Sequence, residues 1–61
     1  MKTILTLLQN SQTEQLPVTI YFRSGSCKGI VTRIDEETVE LRNEKQRICI
    51  LLVHIDAVVV E

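Results

Sequence analysis

The sequence predicts a small, mainly β domain in which a short N-terminal helix is followed by a five-stranded, strongly bent antiparallel barrel. Apolar residues recur at helical spacing before Pro17, and after it they alternate with polar residues in short runs separated by turn residues. A length of 61 residues allows a single domain, 1–61. Within it we expect a helix at about 3–11 and a barrel at about 17–60.

The first predicted element is an amphipathic helix. Ile4, Leu7 and Leu8 fall at positions i, i+3 and i+4, so they share one stripe of a helix. Because Pro17 cannot lie inside a helix, "SQTEQ" is interpreted as a polar link after a helix over 3–11. A helix of this length is marginal by itself, so its apolar stripe is expected to pack on the strands.

The first strand is predicted in "VTIYF". Val18, Ile20 and Phe22 alternate toward the core, whereas Tyr21 faces solvent. "SGS" predicts the next turn, and Gly29 is expected to open the second strand and to permit a bend.

The third strand is predicted in "TVELRN", between the acidic turn Asp35–Glu37 and the turn "NEKQ". The run "RICILLVHI" that follows is apolar on both faces, and "AVVVE" is apolar almost throughout. Strands of this kind are covered on both faces, so we predict that they pack against the core and against a neighbouring subunit. The predicted interface residues are Ile48, Ile50, Leu52, Val58, Val59 and Val60.

Composition excludes several classes of protein. The two cysteines, Cys27 and Cys49, are too few for a disulfide framework, and a single histidine, His54, gives no metal-ligand cluster. We therefore expect reduced thiols in a cytoplasmic protein, no metal and no cofactor. No apolar stretch approaches the roughly 20 residues of a membrane span, and no catalytic constellation is recognisable. We expect a non-enzymatic protein stabilised by self-association.

The order of these elements resembles the Sm-like (LSm) family, and within it the Hfq branch of bacterial RNA chaperones. The resemblance covers residues 4–60 and rests on "PVTIYF", on Gly25 and Gly29, on Asp35 and Asn43, and on "IDAVVV". It implies an SH3-like small barrel that forms a toroidal homo-oligomer, usually a hexamer. In such a ring the fourth strand of one subunit pairs with the fifth strand of the next. It also implies that Asp35 and Asn43 belong to the pore loops.

The same resemblance implies an RNA-binding face. Tyr21 occupies the position at which Hfq stacks purines, and Arg23, Gly25 and Lys28 lie beside it in the sequence. Two alternatives stay open at this point. Tyr21 is equally well explained as an exposed cross-strand partner, and Arg23 and Lys28 as solvated surface charges.

Two other RNA surfaces of the family have no counterpart here. Glu37 stands at the position of a pore aromatic, and Leu51–Val53 stand where the family has Tyr-Lys-His, with His54 one residue beyond. Gln12 and Thr13 replace the arginines of the rim. The net charge of −1 is also low for a protein that binds nucleic acid mainly through phosphates.

Two function hypotheses follow. In the first, the chain forms an Hfq-like ring that binds single-stranded, A-rich or purine-rich RNA through the face that contains Tyr21. In the second, the ring is kept but the partner is a protein, and the module is structural. A monomeric barrel outside the Sm-like family is a third possibility.

Overall fold

One helix and five strands follow each other in the predicted order. The computed structural model describes residues 2–60, so Met1 and Glu61 of the predicted domain lie outside it. A 3₁₀ helix at Leu52–His54 separates the last two strands. The bounds are α1 Lys2–Glu14, β1 Val18–Phe22, β2 Gly25–Ile34, β3 Thr38–Arg42, β4 Arg47–Leu51 and β5 Ile55–Val60.

The five strands form one antiparallel sheet in the order β4-β3-β2-β1-β5. Residues Gly25–Gly29 of β2 pair with β1, and Ile30–Ile34 pair with β3. A straight strand of ten residues would span about 30 Å, whereas the described chain extends over 24 × 22 × 21 Å. β2 therefore bends, and the prediction of a strongly bent sheet is confirmed. β4 and β5 are the two edges of this sheet.

The core lies between the concave side of the sheet and α1. Inward-facing strand residues alternate as predicted, and the 3₁₀ helix adds Leu52. The buried apolar side chains are Leu8, Val18, Ile20, Val31, Val39, Leu41, Ile50, Leu52 and Ile55. The period-two pattern in β1 and β3 was therefore sufficient to identify their core faces.

Helix α1 is joined to β2 by hydrogen bonds as well as by apolar packing. β1 pairs with β2 only as far as Gly29, and α1 side chains bond to the backbone beyond that point. The Ser11 hydroxyl, only 1% exposed, accepts a hydrogen bond from the Val31 N–H at 3.2 Å and donates one to the Leu16 carbonyl at 2.6 Å. Gln12 Nε2 donates to the Thr32 carbonyl at 3.1 Å.

The helix is longer than predicted and ends at Glu14 rather than at residue 11. Gln15 follows in the left-handed region, with φ of 58°. The Leu16 N–H then donates to the Ser11 carbonyl at 3.2 Å, as in a Schellman C-cap. Polar residues in "SQTEQ" suggested a linker, but Ser11 turns inward and its contacts hold an extra turn of helix.

Replacing Gln15 with glycine is expected to stabilise the protein by about 0.5–1 kcal/mol. A left-handed conformation costs an L-residue roughly 1–2 kcal/mol, and glycine removes this cost. The gain is partly offset because the variant loses the hydrogen bond from Gln15 Nε2 to the Gln12 carbonyl. Urea denaturation at fixed protein concentration measures the change. As a control, Gln9→Gly in the exposed interior of α1 should destabilise by about 1 kcal/mol. Equal losses in both variants would contradict the capping role.

The structure corrects the start of β2. The predicted turn at Ser24–Ser26 is replaced by a two-residue turn, Arg23-Ser24, and Gly25 pairs with Phe22. Gly29 lies within β2 instead of opening it. The first half of this strand is mostly exposed and polar, so its sequence lacks the apolar alternation from which a strand is recognised.

The structure also divides the predicted strand "RICILLVHI". β4 ends at Leu51, and the chain turns through the 3₁₀ helix so that the Leu52 side chain enters the core. The Leu52 N–H donates to the Glu37 carbonyl at 2.8 Å, a contact that fixes this turn against the β2–β3 connection. A tertiary hydrogen bond of this kind leaves no local signal in the sequence.

Candidate nucleic-acid interface

Tyr21 lies in the middle of β1 on the convex side of the sheet, and 46% of its surface is exposed. Its neighbours on the adjacent strands are Ser26 of β2 and Ala57 of β5. Both are small, so neither side chain is large enough to cover the phenol ring. The predicted exposure of Tyr21 is confirmed, and the ring is accessible to a planar ligand.

Lys28 lies on the same side of the sheet as Tyr21. It pairs with Thr19 and is two residues along β2 from Ser26, so the alternation of the strand places both β2 side chains on the Tyr21 side. We call the surface formed by Thr19, Tyr21, Ser26, Lys28 and Ala57 the Tyr21 face.

Arg23 and Gly25 form the hairpin at one end of this face. Arg23 is exposed in the two-residue turn, and no residue among 2–60 forms an ion pair with it. Gly25 has a φ of 156°, a conformation that side chains rarely adopt, although open space surrounds it. The glycine therefore serves the backbone geometry of the hairpin.

The two residues predicted for the pore loops lie at opposite ends of β3. Asn43 Nδ2 donates to the Lys28 carbonyl at 3.0 Å, and Asn43 Oδ1 accepts from the N–H groups of Lys45 and Gln46. Asp35 accepts from Arg33 Nε at 3.1 Å. Each side chain stabilises its own turn, and their pore role stays a prediction.

The six residues predicted for the subunit interface differ in how far they are buried in the single chain. Ile50 and Leu52 are 9% and 8% exposed and pack in the core of the chain itself, and their contribution to a subunit interface stays a prediction. Ile48 and Val58 are half-buried and pack against the same core. Val59 and Val60 are exposed at the β5 edge, as the interface prediction requires.

Sequence reasoning missed two exposed apolar residues, Leu51 and Val53, which are 43% and 78% exposed. Both belong to the run that is apolar on its two faces, and alternation alone did not show which face enters the core. The outward face of β4 therefore carries an exposed apolar side chain, Leu51, that the single chain leaves in contact with water.

The two cysteines are free thiols. Cys27 is half-buried in β2, and burial raises the pKa of its thiol. Among residues 2–60, no group of three His, Cys, Asp or Glu side chains is arranged to hold a metal ion. None of the helical residues described forms a segment long and apolar enough to cross a membrane.

Comparison with known proteins identifies the fold. No family model and no curated protein matches this sequence. Among solved structures, the chain is similar to the crystal structure of Hfq, described as a pleiotropic translational regulator. The two share 28% sequence identity with a TM-score of 0.83, and the match covers 92% of this chain and 86% of that chain. The chain therefore has the Sm-like fold in the form found in Hfq.

Proposed function

We propose that this chain is a subunit of a homo-oligomeric ring that binds single-stranded, purine-rich RNA through the Tyr21 face. The observation that supports the proposal most directly is the exposed phenol ring between Ser26 and Ala57. Stacking of a base on an aromatic side chain contributes about 1–3 kcal/mol. A ring would present one such platform per subunit, and no catalytic step is required.

The strand edges support self-association. β4 and β5 are unpaired on their outer sides in the described chain, and exposed apolar residues accompany them, namely Leu51 and Val53 near β4 and Val59 and Val60 on β5. Pairing β4 of one subunit with β5 of the next would satisfy both edges and cover these side chains. Repetition around a closed rotation gives a ring, for which we propose six subunits.

The charges near the Tyr21 face have a supporting role. Arg23 and Lys28 are exposed at two sides of Tyr21, where they would contact phosphates of a strand whose bases stack on the tyrosines. Since the net charge is −1, we propose that stacking supplies most of the affinity. Purines offer a larger surface for stacking than pyrimidines, which is the physical basis of the proposed preference.

The test is fluorescence anisotropy with a labelled A-rich oligonucleotide, with a U-rich oligonucleotide as the reference, at near-physiological salt. Tyr21→Ala should weaken A-rich binding at least about fivefold, the equivalent of 1 kcal/mol. Tyr21→Phe keeps the aromatic surface and should bind like the wild type. The mass of both variants in solution is measured to establish that assembly is unchanged. A-rich binding that does not respond to Tyr21→Ala would refute the stacking mechanism.

The distribution of charge favours a second candidate, a ring that binds a protein. Between residues 3 and 14 the helix has a single charged residue, Glu14, and the β2–β3 turn contains Asp35, Glu36 and Glu37. The acidic turn would repel phosphate, and the nearly uncharged helix would not attract it. Failure of both oligonucleotides to bind an intact ring would support this second function.

A further inference from the structure

Four of the seven Lys and Arg residues lie around the β3–β4 hairpin, beside the Tyr21 face. Arg42 at the end of β3 is paired directly with Arg47 at the start of β4. Lys45 lies in the turn between them, and Lys28 is on the neighbouring strand β2. We call Lys28, Arg42, Lys45 and Arg47 the hairpin patch.

The Arg42–Arg47 pair is unfavourable in the chain alone. Like charges directly opposite each other on neighbouring strands destabilise a sheet, and within residues 2–60 no acidic side chain forms an ion pair with Arg42, Lys45 or Arg47. Arg33, by contrast, is paired with Asp35 at 3.1 Å. The positive charges of Arg42, Lys45 and Arg47 are therefore available to an external anion.

The hairpin patch borders an open groove. Pro17, Gly29 and Ile30 contribute to its lining together with Lys28, Arg42, Asn43 and Lys45, and Glu44 is the only acidic residue among the described residues that line it. The hydrogen bonds of Asn43 to the Lys28 carbonyl and to two N–H groups of its own turn fix the shape of the groove. A groove with cations along a fixed turn suits an extended polyanion.

The groove continues the Tyr21 face. Ser26 is opposite Tyr21, and Ile30, on the same side of β2, is opposite Arg42. Tyr21 and Arg42 are therefore separated by four residues along the strand direction and by two strand spacings across the sheet. Together these steps correspond to a distance of about 16 Å. Lys28 lies between them and belongs to both surfaces.

We propose that the hairpin patch binds the phosphodiester backbone of the RNA strand where it leaves the Tyr21 face. This inference rests on the proposed function, because it assigns a second contact to the same ligand. The two contacts differ physically. Stacking on Tyr21 is nearly independent of salt, whereas each phosphate contact on a single strand contributes about 0.7 to the slope of log K against log salt concentration.

The experiment measures the affinity for a labelled 18-nucleotide oligoadenylate over a series of salt concentrations. The double variant Arg42→Gln with Arg47→Gln should reduce the slope by about 1.4, without lowering the melting temperature because it removes the like-charge pair. Arg42→Lys with Arg47→Lys keeps both charges and should keep the wild-type slope. Arg33→Gln removes one charge that is paired with Asp35 and lies outside the groove, so it should leave the slope unchanged.

The outcomes separate this inference from the proposed function. Tyr21→Ala should lower the affinity at every salt concentration and leave the slope as it is. An unchanged slope in the double glutamine variant overturns the hairpin patch, even if Tyr21→Ala abolishes binding. If the double glutamine variant has a reduced slope and Tyr21→Ala binds like the wild type, the hairpin patch is supported and stacking on Tyr21 is overturned. Glu44→Gln should increase the affinity, since it removes a carboxylate from the lining of the groove.

Discussion

Substitution of Gly29 by alanine is expected to lower the free energy of unfolding by about 2–3 kcal/mol. A Cβ atom at this position would lie 2.7 Å from the Arg42 carbonyl oxygen and 3.2 Å from its carbonyl carbon. Both atoms belong to the backbone of β3, so the clash is relieved only by moving one strand against another. Overpacking of this kind costs about 1–3 kcal/mol. In a domain of this size that is a large part of the total.

The sign of the stability change in Gly29→Ala distinguishes a steric clash from the ordinary effect of replacing glycine in a strand. Glycine within a strand is ordinarily a weak choice, and alanine stabilises such positions by roughly 0.5–1 kcal/mol. Urea denaturation at fixed protein concentration determines which effect is larger. Ser26→Ala, at an exposed position of the same strand, is the control and should change stability by no more than about 0.5 kcal/mol. A Gly29→Ala protein as stable as the wild type would show that β2 and β3 do not approach this closely.

Ser11→Ala is expected to cost about 2 kcal/mol, although the residue lies in a helix where alanine is the better former. The substitution leaves the Val31 N–H without its hydroxyl acceptor, in a residue that is fully buried. A buried donor without a partner costs about 1–3 kcal/mol. The Leu16 carbonyl also loses its donor, which weakens the end of α1.

Thr13→Ala is the matched control for Ser11→Ala. It removes a hydroxyl from an exposed position in the same turn of α1, so stability should stay unchanged or rise slightly through the higher helix propensity of alanine. Both variants are compared by urea denaturation. If they behave alike, the hydrogen bonds of Ser11 contribute nothing measurable to the attachment of α1.

Much of the fold was accessible from sequence because periodicity reports which side chains avoid water. Alternation identified β1 and β3, and the apolar stripe of α1 identified a docked helix. The errors occurred where tertiary contacts determine local structure. Ser11 appeared to be a linker residue until its contacts with β2 were known, and the break at Leu52 depends on a hydrogen bond to Glu37.

The candidate interface was predictable only in part. Tyr21 stood out because it is a large side chain on the polar side of a clean strand. Charge was harder to interpret, since Arg42 and Arg47 are separated by a turn in the sequence and become neighbours only through the register of β3 and β4. The sequence did not distinguish the buried Ile50 from the exposed Leu51, because a strand that is apolar on both faces does not indicate which face enters the core.

The order of strands in the sheet also has a consequence for how the chain folds. Neighbours from β4 to β1 are consecutive in sequence and joined by short turns, whereas β5 pairs with β1 and brings Val60 beside Val18. Local hairpins close small loops early, and the pairing of β5 with β1, which spans all five strands, has the largest loss of chain entropy to overcome. We therefore expect β5 to be the last strand to pair during folding. It is also the strand that the proposed ring uses between subunits, so completion of the barrel would be followed directly by assembly.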